Sequence, residues 1–358
     1  MPSLSAERQD GLSIVVQGGL FRANRATIAA NLARWRAVFP KAQLICAISS
    51  SDFLASGEDH PTPRLTAEPE PDDAAFLALL GRVCDVATIA PPCAVLPPIK
   101  TDSRGPNHVN LQIAAARAGL ARSAGRHILR IRNDLMLDRQ PMLAAHARAQ
   151  LPPRGGRALF AERVLVSQLF TLNPLLAQRM PFHVSDWFHL GLASDLRRLW
   201  DAVVPLSATD AAWYAGRPHA AGSTTAERRF LTRWPPEQTI TFPVFAAAFP
   251  DLSLTYHNDQ TSVAASLSVV ADNFGIANLS SCRAKLPQYQ RDIDHMSSFT
   301  ALECLSQSVL DRIAAEPRRP VADILRPETL AVARHTSRWA RLRRATMRWS
   351  RRLFAISR

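Results

Sequence analysis

Five cysteines stand in 358 residues (Cys46, Cys84, Cys93, Cys282 and Cys304), none in a Cys-x-x-Cys pair and one left over by count. That usage argues for reduced thiols in a cytoplasmic compartment and against a disulfide scaffold or a cysteine-built zinc site. No apolar run reaches the ~18–20 residues that a membrane-crossing helix needs. The opening MPSLSAERQDG lacks the basic-then-apolar plan of a secretory leader, so a soluble protein or one held at a membrane surface is expected. Missing too are G-x-G-x-x-G, a Walker A loop and a G-x-S-x-G elbow, which disfavours dinucleotide, P-loop and serine-hydrolase chemistry. Acid is absent from one end: Arg334–Arg358 carries nine Arg and no Asp or Glu, and without it the net charge falls from +13 to +4. The body is therefore only mildly basic, and nucleic acid is a disfavoured partner.

What is present is an alternation of strands and helices. Leu12–Gln17 is a short β-branched run that stops at Gly18-Gly19. Ile28, Leu32, Trp35 and Phe39 then share a helical face that Pro40 ends, and Ala42–Ser49 reads as a second buried strand. Residues 83–90 are a third candidate strand. Asn107 can open a helix with Val109, Ile113, Ala116 and Leu120 on one face, and HILRIRND (127–134) supplies a fourth strand. Strand-helix-strand repetition predicts an α/β fold: a mixed, mostly parallel sheet flanked by helices, spanning residues 1–325. Ligands of such sheets sit beyond the carboxyl ends of the strands, which puts Gln17–Gly19, Ser49–Asp52 and Asn133–Asp134 on one rim. Further on, RALFAERVLVSQLF and DWFHLGL are strand-like, and SDLRRLWDAV is a helix that Ser194 and Asp195 can cap.

Three clusters could carry chemistry. In HILRIRNDLMLD, Asp134, with Asp138 nearby, could bind a hard cation such as Mg²⁺ or Mn²⁺ through oxygen. Arg130 and Arg132 could meet phosphate in bidentate fashion, or one could pair with a carboxylate under the rim. Taken alone the stretch is read more simply as an Asn-Asp turn with arginines snorkelling at a sheet edge. In PFHVSDWFHLGL, His183, Ser185, Asp186 and His189 crowd among aromatics. A strand would point His183, Ser185 and Trp187 one way and Asp186 the other, which argues against a triad and suits a sugar-binding wall with Asp186 as general base. In RWPPEQTI, Glu237-Gln238 opens a helix, where an acid is also favourable for stability alone. Tyr256–Asp259 holds metal-capable residue types in a weak pattern.

Residues 326–358 differ from the body. On a helical wheel Trp339, Leu342, Trp349, Leu353 and Ile356 form an apolar stripe beside Arg334, Arg338, Arg341, Arg344, Arg348 and Arg352. This is the composition of an amphipathic helix lying on an anionic membrane surface, with packing against the body as the plain alternative.

Several stretches taken in order resemble the WavE lipopolysaccharide-synthesis family of glycosyltransferases: IVVQGGL, ARWRAVFPKAQLICAISSSD, PNHVNLQIAAARAGL, HILRIRNDLML, PFHVSDWFHLGLASDLRRLW and WPPEQTI. The resemblance implies a GT-A-like nucleotide-binding sheet and a nucleotide-sugar donor, with a lipid-linked glycan acceptor at the inner face of the cytoplasmic membrane. It assigns Gln17, Gly18, Asn107, Asn110, Arg130, Arg132 and Asp134 to the donor side, with Asp134 as the carboxylate for a divalent Mn or Mg ion. Asp186-Trp187 matches its Ser-Asp-Trp and Glu237-Gln238 its Pro-Glu-Gln; on that footing Asp186 first and Glu237 second are expected to activate the acceptor hydroxyl, and the aromatic-rich wall of His183, Trp187 and His189 is expected to face the acceptor. Gly19 stands where the family has proline, and Leu111 where a basic residue is common. The competing expectation is a non-enzymatic protein whose basic end binds anionic membrane or nucleic acid.

Overall fold

The computed structural model describes residues 11–19, 25–49, 71–295 (except 92, 94, 104 and 177) and 303–336. Among the described residues seven strands form one sheet: β1 Leu12–Gly18, β2 Gln43–Ile48, β3 Val86–Ile89, β4 His127–Arg132, β5 Val164–Ser167, β6 Phe188–Leu192 and β7 Phe274–Ala277. Their spatial order is β3-β2-β1-β4-β6-β5-β7. β6 alone runs against the rest, pairing antiparallel with both β4 and β5. The expected mixed, mostly parallel α/β sheet is the fold found.

The sheet is buried on both faces because β1 alternates between two cores. Leu12, Ile14 and Val16 pack with Ile28, Leu32 and Trp35 of α1 (Arg25–Val38). Val15 faces the other way, toward Val109, Ile113 and Leu120 of α3 (Val109–Arg122). Such two-sided burial is the condition under which a strand reads as a continuous apolar run. α3 lies close on β1 because residue 119 is glycine: a Cβ there would stand 2.3 Å from Val15 Cγ1. In β4, Leu129 and Ile131 go to the α1 core and Ile128 to the α3 core. Arg130 and Arg132, two and four residues beyond Ile128, therefore share the α3 face at the carboxyl end of the strand.

α2 (Pro71–Val83) precedes β3, and α4 (Arg139–Ala149) follows β4. α5 (Ala193–Asp201) follows β6, the single turn α6 is Ala208–Ala211, and α7 (Pro236–Ala248) and α8 (Val263–Asn273) cover the far half of the sheet. Three local expectations change. Only Val164–Ser167 of the run from 157 to 170 is strand. Residues 181–187 are not strand, so the alternation expected for His183, Ser185 and Trp187 does not apply. Asp195 does not cap α5 from outside; it sits in the first turn and accepts the backbone N–H groups of Ala161 and Glu162, each at 3.0 Å.

A helix at Arg326–Thr336 begins the C-terminal segment and is tied to the body by the Arg312–Glu328 ion pair. The Trp- and Arg-bearing stretch from 337 onward lies outside the described residues, as do Ser50–Asp52 of the expected rim. Among the described residues no helix is long and apolar enough to cross a membrane.

Candidate functional site

A cavity of about 420 Å³ opens at the carboxyl ends of β1, β2 and β4, lined by Gln17, Gly18, Gly19, Ser49, His108, Leu111, Gln112, Arg130, Arg132, Asn133, Asp134, Asp186 and Gln288. Its floor is Arg130. The β1–β4 register sets Arg130 opposite Val15 and Arg132 opposite Gln17, and Arg130 Nε donates to Gln17 Oε1 at 2.6 Å. Arg130 Nη1 donates to the Asp186 carbonyl oxygen, and the guanidinium lies 4.7 Å from the Trp200 ring centroid. The side chain is fully buried, and its Nη2 has no hydrogen-bond partner among the described residues. Burial lowers its pKa to about 10, which still leaves it charged at neutral pH.

Arg132 is handled differently. Its Nε and Nη2 grip both Asp134 oxygens, at 2.8 and 2.7 Å, beside the Trp187 ring. The carboxylate partner anticipated for one of the two arginines is thus Asp134 itself. Asn133 closes the rim between β1 and β4. Its backbone N–H donates to Gln17 O at 2.9 Å, its Nδ2 to Gly19 O at 2.7 Å, and Asn31 Nδ2 donates to its carbonyl at 2.9 Å. Gly18 must be small here, because a Cβ would lie 2.8 Å from the Asn133 side chain.

The opposite wall is the first turn of α3, which contains no acidic residue. The helix therefore presents an uncompensated positive end to the cavity. Asn107 Oδ1 accepts the Val109 N–H at 3.0 Å, but the N-cap position is His108, whose side chain makes no capping bond, so Asn107 supports the helix start from one residue outside it. It is buried and outside the cavity lining, and Asn110 turns away to bond both backbone groups of Leu206, at 2.9 and 2.7 Å. Neither asparagine reaches the cavity expected for a donor; Gln112, at the end of the first turn of α3, does so instead. Gln112 Nε2 donates to Asp186 Oδ2 at 2.5 Å.

Asp186 is the carboxylate at the cavity edge, with its main chain held by Arg130 and its side chain by Gln112. Behind it stand His183 and Glu237, the latter in the first turn of α7. Burial first, and the Asp186 charge second, push the Glu237 carboxyl up to about 8. Burial lowers His183 to about 4, so it is neutral. The two sit 3.4 Å apart, Nε2 to Oε2.

The three residues expected to face an acceptor are all internal. His183 bonds the Phe170 carbonyl through Nδ1 at 2.8 Å. Trp187 is packed between Phe170 and Tyr289, with ring centroids 5.3 and 4.9 Å away. His189 lies opposite Arg130 on β6 and accepts Trp200 Nε1–H at 3.2 Å. Burial and the neighbouring Arg130 charge hold His189 well below its ordinary pKa, so it supports Arg130 as a neutral ring. His257, in the weak polar pattern at 256–259, is also internal and shares a hydrogen bond with Tyr214 OH at 3.1 Å.

His108 and Gln288 line the cavity without having been singled out. His108 follows Asn107 and could have been found from the helix start; Gln288 arrives from a remote turn, Pro287–Tyr289, that no local pattern connects to the rim.

The expected divalent ion on Asp134 finds a poor donor set. Both Asp134 oxygens are engaged by Arg132, and among the described residues no group of three His, Cys, Asp or Glu side chains is placed to hold a metal.

No curated protein matches the chain in sequence. Among solved structures, residues 1–349 of S. aureus TarS align at 9% identity and a TM-score of 0.31, over 85% of this chain and 69% of that one, too distant a likeness to bear on function. A family model described as WavE lipopolysaccharide synthesis matches residues 94–287, which include α3, β4, the Asp186 segment and the start of α7. Because that match takes in more than half of the 358 residues and most of the cavity, the chain belongs to the WavE lipopolysaccharide synthesis family.

Proposed function

We propose that the chain transfers a sugar from a nucleotide-sugar donor to a hydroxyl group of a lipopolysaccharide core or a related cell-envelope glycan. Membership of a glycosyltransferase-like family of lipopolysaccharide synthesis supports the reaction class. The observation that carries the reading is the cavity: two guanidinium groups and the first turn of α3 line it together with two carboxylates, Asp134 held by Arg132 and Asp186 held by Gln112.

The chemistry follows from those charges. The leaving group of a nucleotide sugar is a nucleoside diphosphate, on which negative charge grows as the anomeric C–O bond breaks. Fixed positive groups at the rim stabilise that charge without reorganising. Asp186 takes the proton of the acceptor hydroxyl as its oxygen bonds to the anomeric carbon, and the bonding electron pair departs with the diphosphate. Glu237, protonated at neutral pH, is not the base; it backs Asp186 from the interior. A lipid-linked acceptor would be met at the cytoplasmic face of the membrane, where the basic segment 326–358 finds anionic lipid.

The test is turnover by the full chain with a panel of nucleotide sugars and a lipid A–core acceptor. Asp186→Asn should lower transfer by about 10²–10⁴-fold, the usual span for loss of a positioned base, while donor affinity changes only a few-fold. Absence of binding or hydrolysis for every donor in the panel refutes the proposal.

A further inference from the structure

The rim carries two guanidinium groups on one strand face, and the chain treats them oppositely. Arg132 is neutralised within its own turn by the bidentate grip on Asp134, and the two side chains are 31% and 27% exposed. Arg130 is fully enclosed, has no carboxylate in ion-pair range among the described residues, and keeps one N–H group unmatched. Its fixed neighbours, the Gln17 amide and the Asp186 carbonyl, orient it but do not neutralise it. A buried cation with a spare donor is costly unless something completes it, and a native structure rarely leaves such a group without a reason.

An anion of the right shape completes both halves. Arg130 lines the cavity, and its Nη2, though covered by protein atoms, is hydrogen-bonded to none of them, so a small shift that opens it to a phosphate breaks no hydrogen bond there. A second phosphate one bond further out can take the Arg132 fork, which fits phosphate oxygens as well as it fits a carboxylate. Asp134 offers Arg132 a single negative charge through a partly exposed pair, the weak kind. A diphosphate brings two to three charges and adds the positive end of α3, whose first turn carries no acid.

We propose that Arg130 and Arg132 together form a diphosphate subsite, and that Asp134 is a stand-in that holds Arg132 until diphosphate displaces it, rather than a metal ligand. This rests on the donor-binding reading of the cavity and specifies how that donor is held. It reverses the usual expectation for an acidic residue at the rim. If Asp134 held a cation, removing its charge would weaken diphosphate binding; if it competes for Arg132, removing its charge strengthens it.

Calorimetry with inorganic pyrophosphate and with a set of nucleoside diphosphates, on the full chain, separates these outcomes. In EDTA the wild type should bind, and Asp134→Asn should bind roughly two- to fivefold tighter, the release expected from a partly exposed pair of this kind. Manganese should add nothing. In the Arg132→Gln background, Asp134→Asn should have no effect, because the competition is gone. Arg130→Met should lose at least about tenfold in affinity; if circular dichroism shows that this variant does not fold, the Arg132/Asp134 pair of variants decides alone. Binding that requires manganese and weakens in Asp134→Asn overturns this assignment while leaving the nucleotide-sugar reading intact. Equal affinities for wild type and Asp134→Asn also overturn it. Failure of pyrophosphate and of every diphosphate to bind, with or without metal, overturns both.

Discussion

Replacing Glu237 by Gln should abolish a pH dependence of stability that the wild type carries. Two independent features say that Glu237 is protonated in the folded chain. The first is electrostatic: it is largely buried and close to the Asp186 charge, which together raise it to about 8 from an ordinary 4.5, against the pull of the α7 N-terminus. The second is a matter of donors and acceptors. His183 Nδ1 lies 2.8 Å from the Phe170 carbonyl, which can only accept, so the ring proton is on Nδ1. Neutral His183 then presents a lone pair at Nε2 to the Glu237 oxygen 3.4 Å away, and an ionised carboxylate there would set lone pair against lone pair, which favours the protonated form.

The sign follows directly. Between pH 4.5 and about 8 the folded chain keeps a proton that the unfolded chain has released, so stability falls as pH rises through that window and levels off above it. At about 1.4 kcal/mol per pH unit the full span caps the loss at roughly 5 kcal/mol. The Glu237 side chain is 14% exposed, and water at that opening should reduce the loss to about 2–3 kcal/mol. The amide introduced by Glu237→Gln does not titrate and can turn its N–H groups toward the His183 lone pair. Urea unfolding of both proteins at pH 5, 6, 7 and 8.5 reads the difference: near-equal stability at pH 5, and the variant more stable by about 2–3 kcal/mol at pH 8.5. The other titrating groups are common to both chains and cancel in the comparison. Parallel stability curves, or a variant less stable at pH 8.5, would show that Glu237 is ionised in the fold and that the donor-acceptor argument is wrong.

Two further substitutions separate site from scaffold. Gly18→Ala places a Cβ against the Asn133 side chain and should break its bond to Gly19 O, costing about 1–3 kcal/mol of stability and weakening nucleotide binding, as thermal unfolding and calorimetry would record. Arg163→Met removes a buried guanidinium that satisfies the carbonyls of Ala271, Ala149, Pro152 and Pro153; about 3–5 kcal/mol should be lost in urea unfolding. Arg163 lines no part of the cavity, so nucleotide affinity of the folded fraction should be unchanged.

The fold was legible where burial imposes a period. β1, β2 and β4 are rich in apolar residues and buried on both faces, and Ile28, Leu32 and Trp35 mark one side of α1, so their order in the chain predicts the sheet and the rim. The pattern failed at 181–187, which is polar and aromatic in alternation yet irregular. Its path is set from elsewhere: Phe182 takes a positive φ of 56°, and its N–H is held by Ser266 Oγ at 2.6 Å from α8. Such a left-handed non-glycine position is set by tertiary contacts and has no local signature. The same reason hid the difference between the two histidines and Asp186. All three sit in one aromatic-rich segment, but only Asp186 reaches the cavity, because Gln112 and Arg130 draw it there from α3 and β4.

That last pair of contacts joins the two halves of the site. Arg130 reaches the Asp186 main chain with Nη1 and Gln17 with Nε, so one rigid side chain fixes both the nucleotide rim and the carboxylate that would receive the acceptor proton. Gln112, from the helix whose N-terminus faces the same cavity, fixes the orientation of that carboxylate. Among the described residues, then, Gln17 and Asp186 are aligned through contacts built into neighbouring strands. This also explains why an arginine is tolerated at the centre of a sheet. His189 stays neutral opposite it, and the Trp200 ring covers it. Part of the cost of burying the charge is offset by the hydrogen bonds to Gln17 and the Asp186 carbonyl and by the Trp200 ring. A lysine could not make both contacts at once, since it lacks the planar fork that spans Gln17 and the Asp186 carbonyl.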